Sequence, residues 1–125
     1  MTSFRYAEDP GIAVHDLTAP GLVSELSQLE GRLHVLRGLL DAMARLGEVN
    51  QTIQWASDRR EAAVSLQQEP FGYSRQQAEA ILDMPMSWQS AEQANRLRHE
   101  RDSLATRGGR LRERIAEMLA LHWFG

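Results

Sequence analysis

A run of leucines at alternating intervals of four and three residues constrains the fold of this chain more than any other feature. The run begins at Leu22 and ends at Met43. Apolar side chains at this 3.5-residue spacing form a narrow seam that stays turned toward a partner helix. The sequence therefore predicts a long helix over residues 22–46. Its seam consists of Leu26, Leu29, Leu33, Leu36, Leu40 and Met43.

A second heptad series lies near the C-terminus, after a capping-box sequence at Ser90–Gln93. It predicts another long helix over residues 90–121, and Gly108 and Gly109 interrupt the pattern. Each glycine costs a helix interior about 1 kcal/mol relative to alanine, so the sequence leaves open whether the helix continues there. The seam of this helix consists of Leu97, Leu104, Leu111, Ile115 and Met118.

The stretch between these helices, residues 47–89, contains several short helical patterns separated by turn signals. One pattern surrounds Val49 and Ile53, and another runs over residues 59–68. A third follows the capping-box sequence that begins at Ser74 and stops before Pro85. The sequence therefore predicts a small cluster of helices in this stretch.

These patterns together predict an all-α fold, because no strand-like alternation is present. Two seams of matching length bury each other when their helices run in opposite directions. We predict an antiparallel two-helix coiled-coil hairpin with a small globular knob, residues 47–89, at its tip. Residues 22–125 would form this single domain. Residues 1–21 lack periodicity and would form an irregular N-terminal arm.

Composition excludes several classes of function. The chain has no cysteine, which rules out disulfides, thiol catalysis and Cys-ligated zinc. Its net charge of −3 argues against a general nucleic-acid binder. The sequence shows no signal-peptide core, no apolar run near the ~20 residues that span a bilayer, and no catalytic or nucleotide-binding motif. We expect a cytoplasmic protein without membrane contact, catalytic residue, metal or cofactor.

Two ordered motifs resemble the A subunit of the DNA gyrase and topoisomerase IV family. Residues 34–42, HVLRGLLDA, are similar to the family's HIL-x-GL-x-x-A, and LGEV at residues 46–49 continues the likeness. Residues 76–84, QQAEAILDM, resemble the family's E-x-QA-x-AILDM. The motifs occur in the family's order and at about its separation, and the resemblance covers roughly residues 31–119.

The resemblance implies the coiled-coil arm and C-terminal dimerisation knob of that protein, which is the exit gate for transported DNA. In the family the knobs of two subunits meet at a two-fold axis. The family pattern continues as ILDMRLQRL, whereas this chain has Pro85 in place of the arginine and a different apolar loop after it. The resemblance covers none of the cleavage domain, so it implies no strand cleavage, and we expect the dipeptide Arg5–Tyr6 to be a chance match to the family's cleaving tyrosine.

A cluster of apolar side chains in the predicted knob indicates a contact between subunits. Methionine and tryptophan are enriched at interface cores, and small helical clusters bury little surface alone. We therefore expect a homodimer that acts as a stand-alone association module, and an aspartate at Ile81 should break association while leaving most helicity. The predicted interface consists of Ala78, Ile81, Leu82, Met84, Met86 and Trp88.

Two other functions stay open. One is a regulator that binds the exit gate of the DNA gyrase A subunit. The other is a small DNA-binding protein that uses the arginine-rich residues 96–114. Ion pairs along the helix, such as Arg96 with Glu100, explain that segment more simply, so we expect DNA contact to be weak or absent. The candidate phosphate contacts are Arg107, Arg110 and Arg112.

Overall fold

The computed structural model describes residues 19–124, and all regular structure in that range is helical. The predicted all-α class is confirmed for this part of the chain. Most of the predicted N-terminal arm, with Arg5–Tyr6, lies outside the described residues. The helices are α1 (Ala19–Ala44), α2 (Leu46–Trp55), α3 (Arg59–Leu66), α4 (Arg75–Leu82) and α5 (Ala91–Phe124), with a short 3-10 helix at Met86–Trp88.

The long helices follow the predicted positions closely. Helix α1 ends at Ala44, and Gly47 lies inside α2 and not in the connection before it. Before α5, Ser90 Oγ accepts a hydrogen bond from the Gln93 amide at 3.1 Å, which is one half of the expected capping box.

Helix α5 continues through Gly108 and Gly109, so the break that the sequence left open does not occur. Gly108 is buried, and a Cβ there would lie 3.3 Å from Leu29 Cδ2 on α1. A Cβ on Gly109 would meet nothing within 4 Å. The close approach of α1 therefore explains the glycine at position 108, whereas packing does not require a glycine at position 109.

The chain divides into two compact units. The terminal unit comprises Met1–Gly31 and Leu104–Gly125, of which residues 19–31 and 104–124 are described. The central unit is Arg32–Ser103. Helices α1 and α5 each contribute a segment to both units.

A small apolar core holds the two helical segments of the terminal unit together. Leu22 and Leu29 of α1 and Leu111 of α5 are each at most 2% exposed. The partly buried side chains that pack against them are Leu26, Leu104, Ile115 and Met118. Removing this apolar surface from water stabilises the helix pair.

Helix α3 packs against both α2 and α4 in the central unit. The side chain of Asp58 caps α3 by accepting a hydrogen bond from the Glu61 amide at 2.8 Å. The capping box predicted before α4 is confirmed. Ser74 Oγ accepts from the Gln77 amide at 3.1 Å, and Gln77 Oε1 accepts from the Ser74 amide at 3.0 Å.

A tight turn connects α3 to α4. The Gln68 carbonyl accepts hydrogen bonds from the amides of Phe71 and Gly72, both at 2.9 Å, and the Glu69–Pro70 peptide bond is cis. Gly72 has a φ of 68°, a left-handed conformation that glycine adopts without steric cost.

Buried apolar side chains come from every α-helix of the central unit. The fully enclosed ones include Leu36, Leu39, Ala42, Val49, Ala62, Leu66, Ala78, Ile81 and Leu97. In the described part of the chain, no helix combines the length and apolar character needed to cross a membrane.

Candidate functional site

Helix α4 carries three of the six predicted interface residues, and its position is fixed by a close contact with α1. A Cβ built on Gly38 would lie 2.6 Å from Gln77 Cγ, so the Gln77 side chain occupies the space that any larger residue would need. Gln77 Nε2 donates to the His34 carbonyl at 2.8 Å, and His34 Nε2 and Ser74 Oγ form a hydrogen bond of 2.7 Å. These contacts join the two segments that carry the family resemblance.

An aromatic group reinforces the same junction from the α3–α4 turn. The Tyr73 hydroxyl donates to Asp41 Oδ2 at 2.6 Å, and the ring stacks on Phe71 with centroids 5.6 Å apart. The Arg45 guanidinium lies 4.6 Å from the Phe71 ring centroid, a cation–π contact. Burial, and then the hydrogen bond to Asp41, raise the pKa of the Tyr73 phenol well above its ordinary value.

The six predicted interface residues occupy different environments. Ala78 and Ile81 are 0% and 3% exposed, so they belong to the interior of the central unit. Leu82, Met84 and Trp88 are half-buried, and 80% of Met86 is exposed. An aspartate at Ile81 would place an unpaired carboxylate inside the chain itself. That substitution should therefore unfold the central unit, contrary to the expectation that most helicity survives.

The accessible part of the predicted interface is the interface segment, residues 82–88. Helix α4 ends at Leu82, before Pro85, as the sequence predicts. The Trp88 amide then donates to the Pro85 carbonyl at 2.9 Å and forms a tight turn. Pro85 and Met86 lie on its exposed side. The segment is thus ordered by its own hydrogen bonds and leaves apolar surface open to solvent.

The predicted seam residues are divided between the two units. In the terminal unit they form the core with Leu22, and in the central unit Leu33, Leu36 and Leu97 are buried while Leu40 and Met43 are half-buried. Leu39 and Ala42, which lie off the seam, are also buried at 3% and 0% exposure. Helix α1 therefore buries a broader stripe here than the seam alone.

Two of the three candidate phosphate contacts already have carboxylate partners in the terminal unit. Arg107 forms an ion pair with Glu25, and Arg112 forms one with Glu30. The side chains of Arg107 and Glu25 are only 17% and 12% exposed. A phosphate would have to displace a partly buried carboxylate from Arg107, so this pairing disfavours DNA contact at that position.

Arg110 is exposed, and no ion pair joins it to another residue in the range 19–124. No group of three or more His, Asp or Glu side chains among the described residues is arranged to hold a metal ion.

The sequence matches known proteins along most of its length. The sequence model of the DNA gyrase/topoisomerase IV A-subunit family matches residues 18–123. The chain is 38% identical over 92 residues to the chloroplastic/mitochondrial DNA gyrase A subunit of Nicotiana benthamiana. It is 39% identical over 83 residues to the A subunit of DNA gyrase, and 36% identical over 84 residues to the A subunit of DNA topoisomerase 4, both of Synechocystis.

These alignments take in most of this chain and a small part of each relative. They cover 74%, 66% and 67% of the chain, and 10%, 10% and 9% of the respective relatives. The chain therefore spans about a tenth of the length of the curated relatives that it matches.

Proposed function

Because the chain belongs to the A-subunit family of DNA gyrase and topoisomerase IV, we propose that it is a gyrase-A-like exit-gate module that associates with a second copy of itself. The proposal assigns no strand cleavage to this chain. It also takes the seam residues of α1 and α5 to pair as a coiled coil that supports the association surface. The observation that carries it is the interface segment, where Met86 leaves 80% of its surface exposed.

The chemistry of this segment suits a contact between identical surfaces. Around a two-fold axis each residue meets the same patch of the other copy, so apolar groups face apolar groups and no charge needs a complementary partner. Met84, Met86 and Trp88 supply the residue types that are enriched at interface cores. Because the turn is internally hydrogen-bonded, little backbone entropy is lost when two copies meet.

The test is the oligomeric mass of the full chain by analytical ultracentrifugation over a range of concentrations. The wild type should sediment as a dimer, and Met86→Asp as a monomer with an unchanged helical circular dichroism spectrum. An unpaired carboxylate in a desolvated contact costs about 3 kcal/mol or more, which lowers the association constant more than about a hundredfold.

Trp55→Asp is the matched control, because Trp55 is 77% exposed in the same unit but lies at the end of α2, outside the interface segment. It should remain a dimer. A monomeric wild type, or dissociation of both variants alike, would contradict the assignment of this segment.

A second candidate is that the chain binds a gyrase A subunit in place of its own copy. Identities of 36–39% to such proteins favour it, because the helices that position the interface segment are similar, although the segment itself departs from the family pattern at Pro85. Mixing the chain with the host's gyrase A subunit should then yield a complex whose mass lies between that of the dimer of this chain and that of the gyrase A dimer. Met86→Asp should fail to form this complex. If wild type and variant co-sediment with that protein equally, the candidate is wrong.

A further inference from the structure

A groove lies between the exposed faces of α3 and α4 in the central unit, and it encloses about 620 Å³. Arg60, Ala63, Val64 and Gln67 line it from the α3 side, at the spacing that places residues on one face of a helix. Val64 is 47% exposed. The groove therefore has an apolar wall that is open to solvent.

Three arginines, Arg59, Arg60 and Arg75, also line the groove, against a single carboxylate, Glu79. Arg75 Nε lies 3.2 Å from Glu79 Oε2, and Arg59 pairs with Asp83 beside the groove at 2.9 Å. Both pairs are largely exposed, and exposed pairs contribute little, so these guanidinium groups are readily shared with another anion.

Arg60 is the most available of these cations. It forms no ion pair with any residue of the described range 19–124. With Asp83 included, three arginines face two carboxylates, so the groove has a local positive excess although the chain as a whole carries a net charge of −3.

We propose that this groove binds an acidic polypeptide segment in which carboxylates flank an aliphatic side chain. Guanidinium groups match carboxylates with two parallel hydrogen bonds, and the aliphatic side chain would cover Val64. A nucleic-acid backbone would leave this apolar wall without a partner, and none of the lining residues is aromatic, so bases have no ring to stack on.

The inference goes beyond association of the chain with itself. The two arginines chosen for the test, Arg60 and Arg75, lie outside the interface segment, so changing them should leave the oligomeric mass as it is in the wild type. Loss of peptide binding and loss of dimerisation are therefore separate outcomes.

The probe is a fluorescein-labelled peptide, Glu-Glu-Leu-Glu-Glu-Leu-Glu-Glu, titrated with the full chain and followed by fluorescence anisotropy. The same peptide with glutamine in place of every glutamate is its control. The acidic peptide should bind more tightly and lose affinity as salt rises. Arg60→Glu and Arg75→Glu should each weaken binding about five- to tenfold, because each exchanges an attraction for a repulsion.

Arg96→Glu is the matched control variant. Arg96 also forms an exposed ion pair of 3.2 Å with a glutamate one helical turn away, Glu92, but it lies on α5 and does not line the groove. It should change peptide affinity less than about twofold.

Equal binding of the two peptides, or an equal loss in Arg96→Glu and Arg75→Glu, would overturn the proposal. A fluorescein-labelled DNA duplex provides the other decisive comparison. If the duplex binds more tightly than the peptide and loses affinity in Arg60→Glu, the groove is a phosphate site and the polypeptide assignment is wrong.

Discussion

Replacing Gly38 by alanine adds a methyl group at the point where α1 lies against α4. The new Cβ would lie 2.6, 2.8 and 2.9 Å from Gln77 Cγ, Cβ and Cδ. Two of these atoms are at the base of the side chain, so rotation of its end cannot relieve the overlap. A rotamer change would move Cγ and Cδ but not Cβ, so the two helices must also move apart.

The expected cost follows from the contacts that would be disturbed. Overpacking of this kind costs about 1–3 kcal/mol. A displaced Gln77 also loses its 2.8 Å bond to the His34 carbonyl and its capping bond to Ser74, and each hydrogen bond contributes about 1 kcal/mol. Alanine has a higher helix propensity than glycine, which offsets about 1 kcal/mol of this cost. We expect Gly38→Ala to lower the free energy of unfolding by about 2–4 kcal/mol.

Urea unfolding monitored by circular dichroism measures this change, and Gly31→Ala is the reference substitution. Gly31 lies in the same helix, and a Cβ there would meet nothing within 4 Å. It should gain stability by about 0.5–1 kcal/mol from helix propensity alone. The two alanine substitutions should therefore differ in sign.

A double-mutant cycle identifies Gln77 as the source of the cost. In a Gln77→Gly background the Cβ, Cγ and Cδ atoms that block the methyl group at Gly38 are all absent, so Gly38→Ala should become neutral or stabilising. A stabilising Gly38→Ala in the wild type, as in Gly31→Ala, would refute this account of the contact, and so would a cost that persists when residue 77 is glycine.

Three further predictions concern stability. Folding raises the pKa of Tyr73, so the free energy of unfolding should fall above pH 10, where the phenol ionises in the unfolded chain. Tyr73→Phe should cost about 2 kcal/mol at neutral pH, because it removes the hydrogen bond to Asp41, and it should reduce the loss of stability at alkaline pH. Urea unfolding from neutral to alkaline pH measures both effects. Asp58→Ala removes the cap that accepts from the Glu61 amide and should cost about 1 kcal/mol in thermal unfolding, whereas Asp58→Asn should keep most of it. Gly109→Ala should raise stability by about 0.5–1 kcal/mol in the same assay, since a Cβ there meets nothing within 4 Å; a loss would show that the glycine serves packing.

Helix positions were predictable from the sequence because their signals are local. The serine and glutamine that begin α4 hydrogen-bond to each other's backbones three residues apart, and Pro85 excludes a helical conformation just before it. Such signals act within one helical turn, so they can be recognised in the sequence without knowing the rest of the fold. The continuity of α5 through Gly108 was not predictable, because it depends on the distance to Leu29 on another helix.

The environment of α4 shows why the predicted interface needed the structure. An apolar face at helical spacing has the same appearance in the sequence whether it is covered by the same chain or by a partner. Ala78 and Ile81 lie on such a face, and it is already buried within the central unit, where α3 packs against α4. Only Met86, beyond the end of the helix, keeps most of its surface exposed.

Ion pairs show the same limit. The spacing of Arg96 and Glu100 permits a pair within α5, yet Arg96 pairs with Glu92 at 3.2 Å. Glu100 instead accepts two hydrogen bonds from Arg32 on α1, at 2.7 and 2.9 Å. A bidentate contact between two helices is stronger than a single bond along one helix, and the spacing of residues in the sequence does not predict it.

The two family motifs contact each other in the central unit, whereas Pro85 and Met86, the first residues that depart from the family pattern, are exposed. Gly38 comes from the first motif and Gln77 from the second, and the two are in direct contact. The departure begins at Pro85 and continues through Met86, both on the solvent-exposed side of the turn. A change at the first pair alters folding, because it acts on the α1–α4 contact. A change at Pro85 or Met86 alters the surface that the folded unit presents to solvent and leaves the α1–α4 contact as it is.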